Sequence, residues 1–191
     1  WLKADDGLND SIVSRWVNLM GGQSFDQPVA GAQPKWVDSV WNGKPVIRFD
    51  GSDDCLSAGD NYDLGYNSRT FFIVGKGNNS YSFYAKALAA GASNRFSLYN
   101  GGGNIELLYH DNSAFTLSTG LNSTGVNIWC SVIDRGAQYL KLYGNSIQGG
   151  VTVSGIQGVG YNFDSPFRFL LGAYNDGSDI GELANLDGDI A

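Results

Sequence analysis

Apolar and polar positions alternate over short stretches of the chain. Residues 11–17 and 44–49 place apolar side chains at alternate positions, whereas residues 69–76 form an almost unbroken apolar run. Alternation is typical of a strand with one buried face, and an unbroken run is typical of a central strand with both faces covered. We therefore predict two half-buried strands and one fully covered strand, with a tight turn at Asn42 and Gly43 before the second.

The same pattern returns at intervals of roughly 8–15 residues, with Gly, Asn or Ser between the runs. The further strands predicted in this way cover residues 81–86, 94–99, 104–110, 114–118, 126–134, 138–143 and 167–171. Residues 21–35 lack a period and predict a long surface loop, and the alanine-rich residues 85–92, interrupted by Gly91, predict a loop or strand end. Because no internal repeat or linker-like tract divides the chain, we expect one all-β domain over residues 1–191, a two-sheet antiparallel β-sandwich.

The composition is that of a folded chain with many turns. Of the 191 residues, 42% are apolar, 13% aromatic and 16% charged, and 27 glycines stand against 4 prolines. This is too little charge and too much aromatic content for a disordered chain. The net charge of −7 and the lack of a long apolar run argue against nucleic-acid partners and against membrane insertion.

The chain has two cysteines, Cys55 and Cys130, and a single histidine, His110. No C-x-x-C pair accompanies them, which excludes a structural zinc site and disfavours a His-based catalytic triad. A disulfide between two distant strands and a pair of buried free thiols are both consistent with the spacing. The cysteines therefore leave the redox compartment open.

Segments near both ends of the chain carry a set of motifs in a definite order. They are Trp1-Leu2-Lys3-Ala4-Asp5, Val13-Ser14-Arg15-Trp16, Ala32-Gln33-Pro34, residues 42–51 with Asp53 and Asp54, residues 70–74, Leu171-Gly172-Ala173 and residues 187–191. Together they resemble the concanavalin A-like superfamily, in particular the laminin G-like jelly-roll domains of bacterial surface proteins and phage virion proteins. The resemblance implies two antiparallel sheets, one of them concave, with ligands bound by loops on the rim or on the concave face. In such domains the last motif usually continues into one more strand, so we expect this domain to be truncated at its C-terminal strand.

Two acidic groups are candidate ligands for a hard cation such as Ca²⁺, which takes about 6–8 oxygens from loop positions. They are Asp50, Asp53 and Asp54 in the first group, and Asp176, Asp179, Glu182, Asp187 and Asp189 in the second. We take Asp50, Asp53, Asp54, Asp187 and Asp189 as the candidate calcium ligands, since loops at one end of a sandwich can meet. The alternative is a tight turn in which Asp side chains accept from nearby backbone N–H groups, the other acids being solvated.

Aromatic side chains in or beside the predicted loops are candidates for stacking on sugar rings. The candidate ligand-binding residues are Trp36, Trp41, Tyr62, Tyr66, Tyr109 and Tyr174. Most aromatic residues of a sandwich belong to its core, so each of these is also a candidate core residue.

The catalytic motifs of jelly-roll enzymes are missing. Glu106 and Glu182 are the only glutamates, and neither has an acidic residue two positions away, so the alternating Glu-x-Asp-x-Glu motif of jelly-roll hydrolases is absent. His110 with Tyr109 is only a hint of the His, Tyr and Arg set that polysaccharide lyases need. We therefore do not expect an enzyme.

The resemblance, the loop aromatics and the lack of a catalytic set favour a noncatalytic recognition module. We expect it to bind glycan or a cell-surface ligand as part of a larger extracellular or virion protein, such as a phage fibre or an adhesin, with calcium as the candidate cofactor. The alternative is a structural or decoration domain that packs against other subunits. The third hypothesis is a glycoside hydrolase or polysaccharide lyase. The expected location is extracellular, at a cell surface or virion surface.

Overall fold

The structure, a computed structural model, describes residues 2–4, 12–78, 82–86, 94–101, 103–111, 114–118, 120, 124–145, 147–148, 153–158, 160–175, 182–183 and 185–191. The strands in these residues are β1 (Arg15–Trp16), β2 (Phe25–Asp26), β3 (Lys35–Trp41), β4 (Lys44–Asp50), β5 (Leu56–Ser57), β6 (Arg69–Gly77), β7 (Ser82–Lys86), β8 (Arg95–Gly101), β9 (Asn104–His110), β10 (Ala114–Ser118), β11 (Asn127–Asp134), β12 (Tyr139–Gly144), β13 (Ile147–Gln148), β14 (Val153–Ser154), β15 (Phe169–Leu171), β16 (Tyr174–Asn175), β17 (Glu182–Leu183) and β18 (Asp187–Ile190). A 3₁₀-helix at Ala30–Ala32 separates β2 from β3. None of the helical structure in the described ranges is long and apolar enough to cross a bilayer.

Two antiparallel sheets form the molecule. Sheet I has the strand order β13-β12-β11-β6-β18-β4-β3, with β14 also paired to β12, and sheet II has the order β1-β2-β5-β15-β7-β8-β9-β10. A two-stranded ladder of β16 and β17 stands apart from both. Many spatial neighbours are distant in sequence, as in a jelly roll. The prediction of an all-β, two-sheet antiparallel sandwich is confirmed.

The inner faces of the sheets fill one core, because side chains alternate between the two sides of each strand. In sheet I, Trp129 and Ile133 of β11 are fully buried, and in sheet II Phe96 of β8 and Leu107 of β9 are fully buried. Phe169 of β15 lies among these rings, with its centroid 5.8 Å from that of Phe96. The intervening positions of β6, β8, β9 and β11 point outward, and several of them are partly exposed.

Two buried, positively charged side chains, those of Lys86 and Arg135, bind loops to this sandwich. The ammonium group of Lys86 lies 2.7 Å from Oδ1 of Asp60 and donates to the carbonyl of Phe167 at 2.7 Å. The guanidinium group of Arg135 donates to several loop carbonyls, among them that of Gly158 at 2.8 Å. Both side chains are fully buried, so their charges are compensated by these partners in place of water.

Several strands differ from the predicted ones. β9 and β10 begin and end where predicted, and the turn before β4 is present, with positive φ at Asn42 and Gly43. Within residues 11–17 only β1 forms. The predicted strand that begins at residue 81 and the predicted loop over residues 85–92 lie partly outside the described residues, as do Trp1 and Asp5 of the first motif.

The central strand β6 is not covered on both faces, and that prediction is wrong. Phe72 of β6 is 67% exposed, and Ile128 of the neighbouring β11 is 53% exposed. One face of β6 is therefore buried in the core, and the other face carries exposed apolar side chains. The prediction of a surface loop over residues 21–35 is also wrong, because that segment contains β2 and the 3₁₀-helix and buries Phe25 and Ala32.

Candidate functional site

The outer face of sheet II carries a compact group of polar and aromatic side chains. Phe96 and Leu98 of β8 point into the core, so Ser97 and Tyr99 point outward. Tyr99 is the cross-strand partner of Glu106 on β9. Tyr174 of β16 approaches from the two-stranded ladder. We refer to Ser97, Tyr99, Glu106 and Tyr174 as the tyrosine–glutamate cluster.

Hydrogen bonds and a ring contact hold this cluster together. The hydroxyl of Tyr99 donates to Oε2 of Glu106 at 2.6 Å, and the hydroxyls of Ser97 and Tyr174 share a hydrogen bond of 2.5 Å. The Tyr99 and Tyr174 rings meet edge to face, with centroids 6.2 Å apart and planes at 85°. Such an arrangement fixes the orientation of both rings.

A glycine makes room for the carboxylate of the cluster. A Cβ atom at Gly101 would lie 2.4 Å from Oε2 of Glu106 and 2.6 Å from its Cδ. These contacts are shorter than side chains tolerate, and Gly101 does not have a positive φ that would itself require glycine. Gly101 therefore lets the Glu106 carboxylate lie close against the backbone of β8.

The tyrosines of the cluster remain protonated at neutral pH. Burial raises the pKa of Tyr99, and its hydrogen bond to Glu106 raises that pKa further. Burial also raises the pKa of Tyr174. Arg95, which precedes Ser97 by two positions on β8, opposes both increases through its positive charge. The cluster thus offers phenol hydroxyls, a carboxylate and two fixed, half-buried ring surfaces.

A second polar group is the acidic turn after β4. One carboxylate oxygen from each of Asp50, Asp53 and Asp54 lies within 4.8 Å of the others. The turn is also bonded internally, because Oδ2 of Asp54 accepts from the backbone N–H of Asp50 at 3.0 Å and Oδ1 of Asp50 accepts from that of Ser52 at 2.8 Å. Burial, and then the negative charge of Asp50, raise the pKa of Asp54 to about 6. The geometry fits both interpretations of this turn, the Asx turn and a partial set of cation ligands.

Neither Asp187 nor Asp189, the two candidate calcium ligands of the second acidic group, joins this turn. Asp187 is the cross-strand partner of Asp50, but its carboxylate is not part of the cluster of three. Asp189 is buried, and both of its carboxylate oxygens accept from Arg48, at 2.7 and 3.1 Å. Its prediction as a calcium ligand is wrong, because these oxygens neutralise the arginine. Asp176 and Asp179 lie outside the described residues, and the side chain of Glu182 is not described.

Three of the six predicted sugar-stacking residues have structural roles. Tyr109 of β9 is fully buried and stacks on Phe163 with centroids 5.2 Å apart, so its prediction as a loop ligand residue is wrong. Trp36 lies on β3 and not in a loop, and its indole N–H donates to the carbonyl of Ala4 at 2.7 Å. Tyr62 stacks on Phe25 and packs against the core.

The other three predicted residues are more open. Trp41 is the half-buried last residue of β3, also a strand position, and Tyr66 is 56% exposed in the loop before β6. Tyr174 belongs to the tyrosine–glutamate cluster. None of the described ring contacts joins one of the six predicted residues to another.

Glu106 cannot be recognised from its neighbours along the chain, because its partner Tyr99 lies on the adjacent strand. The hairpin between β8 and β9 places Tyr99 opposite Glu106. The run of glycines at residues 101–103 of the sequence, between two stretches of alternating residues, is the signal from which this register can be read.

No family model and no curated protein sequence matches the chain. Solved structures do match it, at low sequence identity. Domains LG4-5 of the mouse laminin alpha1 chain match with a TM-score of 0.58 and 11% identity, over 76% of this chain and 39% of that one. The chain therefore spans well under half of that laminin fragment.

Two bacterial domains match at similar levels. Domain 4 of AbnA, a GH43 extracellular arabinanase from Geobacillus stearothermophilus in complex with arabinotriose, has a TM-score of 0.56 and 13% identity, over 82% of this chain and 73% of that one. The CBM40 domain of the Ruminococcus gnavus IT-sialidase, bound to α2,3-sialyllactose, has a TM-score of 0.53 and 15% identity, over 76% of this chain and 85% of that one. The chain thus has the concanavalin A-like fold of the laminin G-like jelly-roll domains that its sequence motifs resemble.

Proposed function

We propose that this chain is a noncatalytic recognition module that binds glycan through the tyrosine–glutamate cluster on the outer face of sheet II. The observation that carries the proposal is the fixed pair of half-buried rings, Tyr99 and Tyr174, beside the carboxylate of Glu106. Ring faces suit the C–H surfaces of a pyranose, and carboxylate and hydroxyl oxygens suit its hydroxyl groups.

The side chains of the tyrosine–glutamate cluster favour glycan binding over glycoside hydrolysis. Glycoside hydrolysis needs two carboxyl groups about 5–10 Å apart across the scissile bond. The described side chains of the cluster supply one carboxylate, Glu106, and its Oε2 already accepts from Tyr99. A carboxylate used in this way orients a hydroxyl and is not held ready to protonate a leaving group.

The structural neighbours add support from analogy. The arabinanase domain was solved with arabinotriose, and the sialidase CBM40 domain with sialyllactose. One fold hosts many functions, so these cases support a class of ligand and do not identify the sugar. We propose an extracellular setting for the module, at a cell or virion surface, as part of a larger protein.

A glycan array with the full chain tests the proposal. We expect selective binding to a restricted set of glycans, in buffer with calcium and in buffer with chelator. Loss of binding in chelator alone would assign the acidic turn of Asp50, Asp53 and Asp54 as a calcium site that supports recognition. An array without any specific signal in either buffer would contradict the proposed function.

A second candidate function rests on the other sheet. Phe72, Ile128 and Val126 are large apolar residues exposed on or beside the outer face of sheet I. Exposed apolar groups of this kind favour a surface that packs against other subunits. Analytical ultracentrifugation over a range of concentrations tests this role, because a stable assembly that Phe72→Lys disperses would favour it.

A further inference from the structure

The hydrogen-bonding capacity that the tyrosine–glutamate cluster leaves for a ligand consists mainly of acceptors. Tyr99 donates its hydroxyl proton to Oε2 of Glu106. Ser97 and Tyr174 share a hydrogen bond, which uses one of their two hydroxyl protons. In the described part of the chain, no donor is bonded to Oε1 of Glu106. An ionised carboxylate accepts and cannot donate, so a ligand group that meets Oε1 has to carry a proton.

Glu106 is held in one place beside Tyr99. Its Oε2 accepts from Tyr99, and its carboxylate lies against Gly101, where a Cβ atom would be 3.0 Å from Oε1. On the other side, its cross-strand partner on β10 is Ser118, which is small and exposed. A ligand can therefore approach the half-buried carboxylate past Ser118 while the bond to Tyr99 is kept.

The charge of Glu106 is not neutralised by another described side chain. None of the ion pairs between described residues includes it. Arg95 also acts on the cluster, but from the other end, because it lowers the pKa of Tyr174 more than Glu106 raises it. At Tyr99 the order is reversed, since Glu106 raises the pKa of Tyr99 more than Arg95 lowers it. The end of the cluster formed by Tyr99 and Glu106 is therefore negative.

An anionic sugar group at this end would meet the carboxylate of Glu106 at close range. Like charges a few ångströms apart repel each other, and salt screens a partly buried pair much less than an exposed one. The net charge of −7 adds repulsion at longer range. A sugar hydroxyl in the same place can donate to Oε1 without this cost.

We propose that Glu106 makes the tyrosine–glutamate cluster selective for uncharged sugars and excludes sugars that carry a carboxylate or sulfate group at the contact. This inference rests on the proposed glycan function and specifies the chemical class of the ligand. The uncharged sugar donates a hydroxyl proton to Oε1 of Glu106, while the rings of Tyr99 and Tyr174 contact its C–H surface. Selectivity then comes from repulsion of the wrong ligand as well as from contacts with the right one.

Matched pairs of oligosaccharides test the inference on the full chain. In each pair C6 carries a hydroxymethyl group in the neutral member and a carboxylate in the anionic member, and the two are otherwise identical. A glycan array that also carries sialylated and sulfated glycans finds the pairs that bind, and isothermal titration calorimetry measures both affinities. We expect the neutral member to bind at least about tenfold more tightly, as one close and partly screened charge repulsion gives.

Glu106→Gln tests whether this residue sets the difference. Glutamine has the same size and keeps an oxygen that accepts from Tyr99, but it has no charge. We expect the difference between the two members to fall to within about threefold, mainly because the anionic member binds more tightly. Asp38→Asn is the matched control, because it removes one negative charge from an exposed position on β3 of sheet I. It should leave the difference unchanged.

The outcomes separate this inference from the proposed function. Equal or tighter binding of the anionic members, or selective binding of sialylated or sulfated glycans, would overturn the selectivity and leave glycan binding in place. A difference that persists in Glu106→Gln, or that Asp38→Asn reduces as much, would do the same. If thermal unfolding shows that Glu106→Gln does not fold, the two members compared on the unsubstituted chain still decide. Binding of no glycan at all would overturn the proposed function and this inference with it.

Discussion

The outer faces of the two sheets have different chemistry. On sheet II, Tyr99 and Glu106 are directly opposite each other, and their side chains are hydrogen-bonded. On sheet I, Phe72 lies opposite Cys130, and Ile128 lies opposite Val74, all of them outward-facing. One outer face thus presents oriented hydroxyls and rings, and the other presents apolar surface.

This difference separates two kinds of ligand. A sugar needs partners for its hydroxyls as well as a ring surface, whereas a protein partner gains most from burial of apolar area. The tyrosine–glutamate cluster meets the first requirement, and the region around Phe72 and Ile128 meets the second. Substitutions on the two faces should therefore affect different measurements.

The largest expected effect is the loss of glycan binding when a ring of the cluster is removed. Tyr174→Ala should weaken binding of an array-selected glycan by roughly thirtyfold, about 2 kcal/mol, as expected for an aromatic residue at the centre of a site. Isothermal titration calorimetry measures the change. Tyr174→Phe, which keeps the ring, should lose much less.

Phe72→Ala on sheet I is the matched control for this prediction. It removes an aromatic ring from an exposed position and should leave the glycan affinity within about twofold. Equal losses for Phe72→Ala and Tyr174→Ala would contradict the assignment of the glycan site to sheet II.

A smaller loss of glycan affinity is expected when the carboxylate of Glu106 is displaced without being removed. Gly101→Ala should push Glu106 away from β8, because the new Cβ would lie 2.4 Å from its Oε2. We expect a loss of glycan affinity of about fivefold, ~1 kcal/mol, from the disturbed hydrogen bond. Gly103→Ala is not an equivalent control, since Gly103 has a φ of 99°.

Ser118→Ala, on the strand next to Glu106, is the better control for Gly101→Ala. Ser118 is the exposed cross-strand partner of Glu106, so it tests whether any small change beside the carboxylate has the same effect. Unchanged affinity in Gly101→Ala, with thermal unfolding confirming the fold, would show that the position of Glu106 does not matter for binding.

A pH-dependent change in folding stability is expected at the acidic turn, which belongs to neither outer face compared above. Burial raises the pKa of Asp54 to about 6, well above the ordinary value of an aspartate, so folding favours the protonated carboxyl. The stabilisation is fully present below about pH 4 and is lost as the pH rises through 6. Asp54→Asn, which is neutral and keeps an oxygen to accept from Asp50, should be ~1 kcal/mol more stable than the unsubstituted chain at pH 8, a value reduced by solvent screening.

Urea unfolding at pH 4 and pH 8 measures this difference. The two chains should be equally stable at pH 4, and an advantage of Asp54→Asn that is the same at both pH values would contradict the titration of Asp54. Added calcium at pH 8 extends the test. If calcium stabilises the unsubstituted chain and not Asp54→Asn, the turn binds the cation.

The sequence pattern predicted the fold well where alternation was regular. Residues 104–110 alternate without interruption, and β9 has these bounds. The same alternation places Tyr109 on the inner face with Ile105 and Leu107, so its burial could have been predicted from its position within the strand. β3 was missed because its residues do not alternate strictly, and a register shift between Val37 and Trp41 interrupts its pairing.

The candidate site was harder to predict than the fold. Tyr174 was predicted as a ligand-binding residue, but its partners Ser97 and Tyr99 are 77 and 75 residues away along the chain, so their proximity depends on the tertiary structure. Likewise, the open face of β6 could not be read from an apolar run, because the pattern does not say which of two apolar faces is covered. Of the two states that the sequence leaves open for the cysteines, a disulfide between Cys55 and Cys130 is not formed, and Cys55 is buried while Cys130 is half-buried.

Amide hydrogen exchange with and without the array-selected glycan tests the central claim most directly. We expect slower exchange at β8 (Arg95–Gly101) and β9 (Asn104–His110) of sheet II when the glycan is bound, with no change at β6 (Arg69–Gly77) and β11 (Asn127–Asp134) of sheet I. Protection confined to β6 and β11 would contradict it, because the glycan would then lie on the apolar face.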